Sequence, residues 1–317
     1  AGNSAFVVPE KQLIPVIILG VVVGLGMGMN RSNQVVDTDG AKLVAVADLD
    51  ENKCKVAEEK FSCDSHTDAL EMLVSVAGIK RDDEVIISSH TMIATASAIT
   101  ANGAKAIPVD CASDHLIDPQ SIENAITSKT KCIMPTQLNG RTANMDEILN
   151  VAKKYGLKII EDSADTIGYT VNKKNTGKYS DVSTNSFYAS HIINGAGTGG
   201  IVCFNDYKLY EKAKLLRGWG RSSATFNESE SPEKRFKVKV SGIDYDAKYI
   251  FSELGYNFLP SEISAAFALE QLKKLKKNIE IRNRNFKKLE LFFGKYKNFF
   301  KLPEQYKNVK TPWLAFP

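Results

Sequence analysis

From Asp82 to Asp162 the chain alternates short apolar runs with amphipathic stretches, and that alternation leaves few folds open. "EVIISS" reads as a strand, "TMIATASAITANG" as a helix ending at Gly103, and "KAIPVD" as a strand. "DPQSIENAITS" is a helix with polar residues in its first turn, and "KCIMPTQ" is a strand. "MDEILNVAKKYG" is a helix closing on Gly156, and "LKIIED" is a strand. Strands alternating with helices of this length imply an α/β fold, a mostly parallel sheet covered on both faces. In such sheets ligands sit beyond the carboxyl ends of the strands, where Gln137, Glu161 and Asp162 fall. Downstream, "SSATFNESESPEKR" reads as an exposed loop. A long amphipathic helix is then announced by Pro260, Ser261 and Glu262.

The N-terminal part has a different texture. "LIPVIILGVVVGLGMGM" carries no charge and approaches the length of a membrane span. Its early proline, its four glycines and the immediate continuation into "AKLVAVADLD" (a strand) and "ENKCKVAEEKF" (a helix) favour a βαβ opening instead, with no membrane partner. "GLGMGMN" places Gly24, Gly26 and Gly28 after a buried strand. There the bare backbone can approach a pyrophosphate, and Asp48 follows at the distance of a ribose-binding acid. Met29 stands where that fingerprint has its third glycine.

With 317 residues, 43% hydrophobic and 25% charged, the chain has material for two domains with full cores. The net charge of +4 comes largely from lysines of the C-terminal helix, read as a solvated face and not as a nucleic-acid site. Five cysteines without a CxxC spacing imply neither a disulfide frame nor a metal site, and point to a reducing, cytoplasmic compartment.

Residues 13–75 resemble the start of the glucose–fructose oxidoreductase and inositol dehydrogenase family, through "VGLGMGM", "AKLVAVADLDENKCKVAEEKF" and "DSHTDALEML". The resemblance implies a partial Rossmann-like segment with NAD(P) as its ligand. That family's Glu-Lys-Pro motif is missing here.

From about Ser65 onward the chain resembles the DegT-like sugar aminotransferases, pyridoxal-phosphate enzymes of the aspartate aminotransferase type I fold. The carriers, in order, are "DEVIISSHTMIATASAI", "KCIMPTQLNGRTANMDEI", "LKIIEDSADTIG", "NSFYASHIINGAGTGGIV" and "LGYNFLPSEISAAFALEQL". The resemblance implies that Asp162 pairs with the pyridine nitrogen of the cofactor, keeping the ring an electron sink. It also implies that Thr67 and Ser186 hold the phosphate, with His66 where the family has glycine. Gln137 joins the cofactor site. Met92 stands where the family often has an aromatic ring, and Asp165 where it often has glutamine. Asn257 in "GYN" matches a residue that reaches the phosphate from a second subunit, implying a homodimer with shared sites.

"SFYASH" places His191 in the slot of the lysine that such enzymes use to hold the cofactor as a Schiff base. Imidazole cannot form that bond but remains a base near neutral pH. A branch of the family with this substitution comprises sugar-nucleotide 3-dehydratases acting on 4-keto-6-deoxy sugars in deoxysugar and polysaccharide biosynthesis. "RGWGR", "KRF", "YDAKY" and "GYN" also resemble that branch. The implied cofactor is pyridoxamine 5'-phosphate, exchanged with pyridoxal 5'-phosphate, with glutamate as amino donor and a nucleotide-linked sugar as substrate. One subgroup carries an iron–sulfur cluster on four cysteines. The loop "RSSATFNESESPEKRF" has none, so no cluster is expected.

The resulting expectation is a partial Rossmann-like segment at 1–64, a large cofactor-binding domain at 65–255, and the helical start of a truncated small domain at 256–317. The catalytic pair is His191 and Asp162, and no metal is expected. Two alternatives stand beside the dehydratase: a sugar aminotransferase of the same family, and a nicotinamide-binding oxidoreductase fragment or an inactive chimera.

Overall fold

The computed structural model describes residues 18–23, 41–47, 64–66, 69–175, 177–197, 199–226 and 231–317, with side chains from residue 70 onward. Three strands open it: β1 (Ile18–Val23), β2 (Ala41–Ala47) and β3 (Asp64–His66). They form a parallel sheet in the order β1-β2-β3, apart from the main sheet. The glycine turn, Asp48, the "ENKCKVAEEKF" stretch and Thr67 lie outside the described residues.

The main sheet uses β4 (Glu84–Ser88), β5 (Lys105–Val109), β6 (Thr130–Met134), β7 (Lys158–Asp162), β10 (Val182–Ser186) and β11 (Gly200–Phe204). Its order is β11-β10-β7-β6-β4-β5, parallel throughout except for β11, which runs antiparallel to β10. Between β7 and β10, the short strands β8 (Thr170–Val171) and β9 (Lys174–Asn175) pair as a small hairpin.

Side chains alternate across each strand, so one apolar run feeds two cores. Val85, Ile87, Cys132, Met134, Ile160 and Val182 point into one. Helices α1 (Ala69–Val76) and α2 (Ile93–Ala101) close over it with Leu73, Val74, Ala98 and Ile99. Ile86, Ile133 and Ile159 point to the other face, against α3 (Pro119–Asn124) and α4 (Met145–Tyr155) through Ile122, Met145 and Ile148. Each fully buried isoleucine contributes roughly 1.5–3 kcal/mol of transfer free energy, so these faces fix strand register.

The helix ends follow local chemistry. Asp118 caps α3, accepting the backbone N–H groups of Gln120 and Ser121, with Pro119 at the first helical position. Gly156 ends α4 at φ 65°, a left-handed conformation that favours glycine. Helix α5 (Tyr207–Arg217) follows β11 and sends Ala213 and Leu216 into the first core.

The polar stretch after Ser222 is more ordered than its composition suggests. It ends in a short helix α6 (Pro232–Arg235), and beyond it lies a hairpin of β12 (Val238–Val240) and β13 (Ile243–Tyr245). An Arg235–Asp246 ion pair ties helix and hairpin together. The expected long helix is α7 (Glu262–Phe293). The tail after it is more than the start of a helical domain. β14 (Val309–Lys310) pairs with β8, and Trp313 stacks on Phe286 with ring centroids 3.7 Å apart. Among the described residues, no helix is long and apolar enough to cross a membrane.

Candidate active site

The carboxyl ends of β6, β7 and β10 and the N-terminus of α2 converge on Asp162, the last residue of β7. Asp162 is buried at 5% exposure, and its main chain is clamped to the β6 end. Its N–H donates to Pro135 O at 3.0 Å, and its carbonyl accepts the Gln137 N–H at 2.9 Å. Two donors reach its carboxylate: Thr95 Oγ1 to Oδ2 at 3.1 Å and the Ala164 N–H to Oδ1 at 3.3 Å. Among the described residues, no lysine or arginine pairs with it. Burial therefore pushes its carboxyl pKa up. The two hydrogen bonds pull the other way, Asp165 adds to the rise, and His191 opposes it.

Thr95 belongs to a short relay of hydroxyls. Thr91 Oγ1 lies 3.0 Å from Thr95 Oγ1 and 2.6 Å from Thr136 Oγ1, so the relay links α2 to the β6 end. Sequence reasoning passed over these threonines. Their signal was the spacing of Thr91 and Thr95, one helical turn apart at the mouth of a βα unit.

His191 sits in the turn between β10 and β11. Ile192 and Ile193 beside it are buried, and its N–H donates to Tyr188 O at 3.0 Å. The turn returns through Ala196, Gly197 and Gly199 at φ 59°, 98° and 105°, which explains the glycine-rich sequence there. The imidazole Nδ1 lies 3.3 Å from Asp165 Oδ1, within ion-pair reach but not aligned as a hydrogen bond. The other Asp165 oxygen accepts the Asn139 N–H at 3.0 Å. The Tyr188 ring stands edge-on to His191 at 6.3 Å. His191, Asp162 and Asp165 therefore form one cluster.

The remaining expected residues divide. Met92 precedes α2 at the same end of the sheet, 53% exposed and open to a ligand. Ser186 ends β10, and its Oγ accepts the Tyr188 N–H at 3.1 Å, leaving its own proton to donate. Gln137 is turned inward. Its Nε2 donates to Glu161 Oε1 at 3.1 Å, and its Oε1 accepts the Ala143 N–H at 2.7 Å, so any part it plays for a cofactor is indirect. Asn257 is joined by a backbone bridge to Gly218 after α5, not to Asp162 or His191.

These groups fit the ring end of a pyridoxal-type cofactor. A buried carboxylate short of a cation is suited to a pyridinium N–H, and the exposed Met92 thioether offers an apolar surface. At the phosphate end, the described donor is the Ser186 hydroxyl.

A family model described as the DegT/DnrJ/EryC1/StrS aminotransferase family matches residues 45–317. That match begins inside the stretch with the oxidoreductase resemblance, which finds no support in the comparisons. GDP-perosamine synthase of Caulobacter vibrioides is 34% identical over 225 residues, 71% of this chain and 54% of that protein. A dTDP-4-dehydro-2,6-dideoxy-D-glucose 3-dehydratase of Saccharopolyspora spinosa is 33% identical over 67% of this chain and 47% of its own length. Among solved structures, NtdA of Bacillus subtilis, with bound cofactor PMP, superposes with a TM-score of 0.66 at 28% identity. The match covers 78% of this chain and 52% of that one. The chain thus spans about half the length of these relatives.

Proposed function

Because the chain belongs to the DegT/DnrJ/EryC1/StrS aminotransferase family, we propose that it carries the cofactor-binding core of a sugar-nucleotide 3-dehydratase dependent on pyridoxamine 5'-phosphate. The observation that supports the reading is the clustering of the His191 imidazole with Asp165 and Asp162, His191 being the residue that the family resemblance puts in the lysine slot. When bound, the cofactor supplies an amine to condense with a sugar ketone and a ring that accepts electrons.

The chain's own residues then have distinct tasks. Asp162 holds the ring nitrogen protonated, and the Thr95 hydroxyl fixes the carboxylate that does so. Ser186 and, outside the described residues, Thr67 would hold the phosphate. Met92 would lie against the ring face, with Gln137 stiffening the strand end behind it. Asn257 would reach the phosphate from a second copy of the chain, making the working unit a homodimer. His191 Nε2 takes and returns a proton while the C3 hydroxyl of a 4-keto-6-deoxy sugar departs as water. Glutamate supplies the reducing equivalents: it leaves as 2-oxoglutarate, and its nitrogen is released as ammonia. The described residues hold no cluster of metal-ligand type.

A second reading is a sugar aminotransferase. A dTDP-3-amino-3,4,6-trideoxy-α-D-glucose transaminase of Streptomyces venezuelae, 36% identical over 54% of this chain, keeps it in play. Incubation with a nucleotide-linked 4-keto-6-deoxyhexose, cofactor and glutamate separates the two. The dehydratase gives a sugar lighter by one oxygen, with 2-oxoglutarate and free ammonia in equal amounts. An amino sugar without free ammonia would overturn the proposal in favour of the aminotransferase.

A further inference from the structure

His191 is one of two groups that touch Asp165 from different directions, and the second fixes what the first can be. Asn139 adopts a left-handed conformation, φ 56°, at the turn after β6, and this aims its N–H at Asp165 Oδ2 at 3.0 Å. One carboxylate oxygen is thereby committed to a main-chain donor. The other, Oδ1, faces His191 Nδ1 at 3.3 Å. Both side chains are largely withdrawn from water, at 16% exposure for His191 and 21% for Asp165. The ring has little room, since buried Ile192 and Ile193 anchor its backbone and Tyr188 stands edge-on beside it.

We propose that Asp165 is a positioning residue that holds the His191 ring with its proton on Nδ1, leaving Nε2 as the proton acceptor. The inference rests on the reading of His191 as the base and gives Asp165 a task other than touching the cofactor. With Nδ1–H directed at Oδ1, 3.3 Å away, the pair takes the arrangement by which a carboxylate sets tautomer and orientation of a catalytic imidazole. When Nε2 takes a proton from a carbon, the C–H bond breaks and an N–H bond forms. The electron pair stays with the reactant, and the imidazolium is balanced by the adjacent carboxylate. Of the titratable groups facing His191, Asp162 also acts on it electrostatically, and Tyr188 presents its ring. Asp162 is the carboxylate read as facing the ring nitrogen of the cofactor, and the oxygen that lies 3.3 Å from Nδ1 is Asp165 Oδ1.

Asn139 makes the substitution test sharp. In Asp165→Asn, the Asn139 N–H requires the amide oxygen on its own side, so the amide NH2 group is turned to Nδ1. A donor facing Nδ1 forces the ring proton to Nε2 and removes the acceptor. The measurement is a long-range proton–nitrogen correlation spectrum of histidine-labelled full chain without cofactor, at alkaline pH. The chain has four histidines, and His191→Gln identifies the signal. The expected spectrum shows Nδ1–H in the wild type and Nε2–H in Asp165→Asn. With substrate, kcat falls by about a hundredfold while KM holds. An Nε2–H tautomer in the wild type, read without any variant, overturns the proposal, as does an unchanged tautomer in Asp165→Asn. This spectrum is independent of cofactor and substrate, so its failure is distinguishable from failure of the dehydratase reading.

Discussion

Two adjacent carboxylates at the end of β7 face opposite sides of the sheet and live in opposite conditions. Glu161, 1% exposed, accepts from Gln137 Nε2, Ser163 Oγ, the Tyr169 hydroxyl, Ser180 Oγ and the Gly177 N–H. Asp162, 5% exposed, has two donors, Thr95 and Ala164. Burial alone therefore does not mark the functional group. The saturated carboxylate binds β6, β7 and the loop around residue 177 into one body. Its neighbour is under-supplied among the described residues, and a buried carboxylate short of partners costs stability that a ligand's donor can restore.

The contrast breaks most readily at Glu161. Glu161→Ala leaves several buried donors without an acceptor and should destabilise by at least about 3 kcal/mol, seen as a lower denaturant midpoint. A loss within experimental error would mean the network contributes nothing. Asp162→Asn should act in two directions. Retention of pyridoxamine phosphate should weaken by about tenfold or more, read by equilibrium dialysis. The cofactor-free protein should become more stable at neutral pH by on the order of 1 kcal/mol.

The sign of that second effect follows from the raised pKa. The folded state binds a proton more readily than the unfolded chain, so cofactor-free protein loses stability as pH rises through the folded-state value. It regains it on acidification, down to the ordinary carboxylate value. Asp162→Asn should flatten this part of the pH–stability curve, as thermal melts across mildly acidic pH would show. A curve that keeps its shape would remove Asp162 as the strained partner. Thr95→Val, which deletes one donor to Asp162 and interrupts the hydroxyl relay, should cost about 1 kcal/mol. The smallest effect, at or below that size, is expected for Tyr169→Phe, since Glu161 keeps four other donors.

The sheet was legible because its strands carry apolar residues on both faces, as Val85 to Ile87 and Cys132 to Met134 do, and its helices end on Asn102–Gly103 and Gly156. The hairpin after α6 carried a local signal that went unread: "FKVKV" and "IDY" alternate apolar and polar residues on either side of Ser241 and Gly242, both at positive φ, although β12 and β13 expose most of their side chains. The placing of Asp162 and His191 near one another followed from strand ends and an inherited pattern. The inward turn of Gln137 did not, because an amide's direction depends on which partners the tertiary fold presents, here Glu161 and Ala143. Thr95 was hidden for the same reason: it pairs with a residue 67 positions away.

The central claim is that His191 replaces a Schiff-base lysine beside Asp162, and one mass measurement reaches it directly. Wild type and His191→Lys are incubated with pyridoxal phosphate, reduced with borohydride, denatured and weighed, beside native spectra with pyridoxamine phosphate. The expected result is no covalent adduct on the wild type, retained pyridoxamine phosphate in its native spectrum, and a stoichiometric adduct at position 191 in His191→Lys. A stoichiometric adduct on a native lysine of the wild type would contradict it.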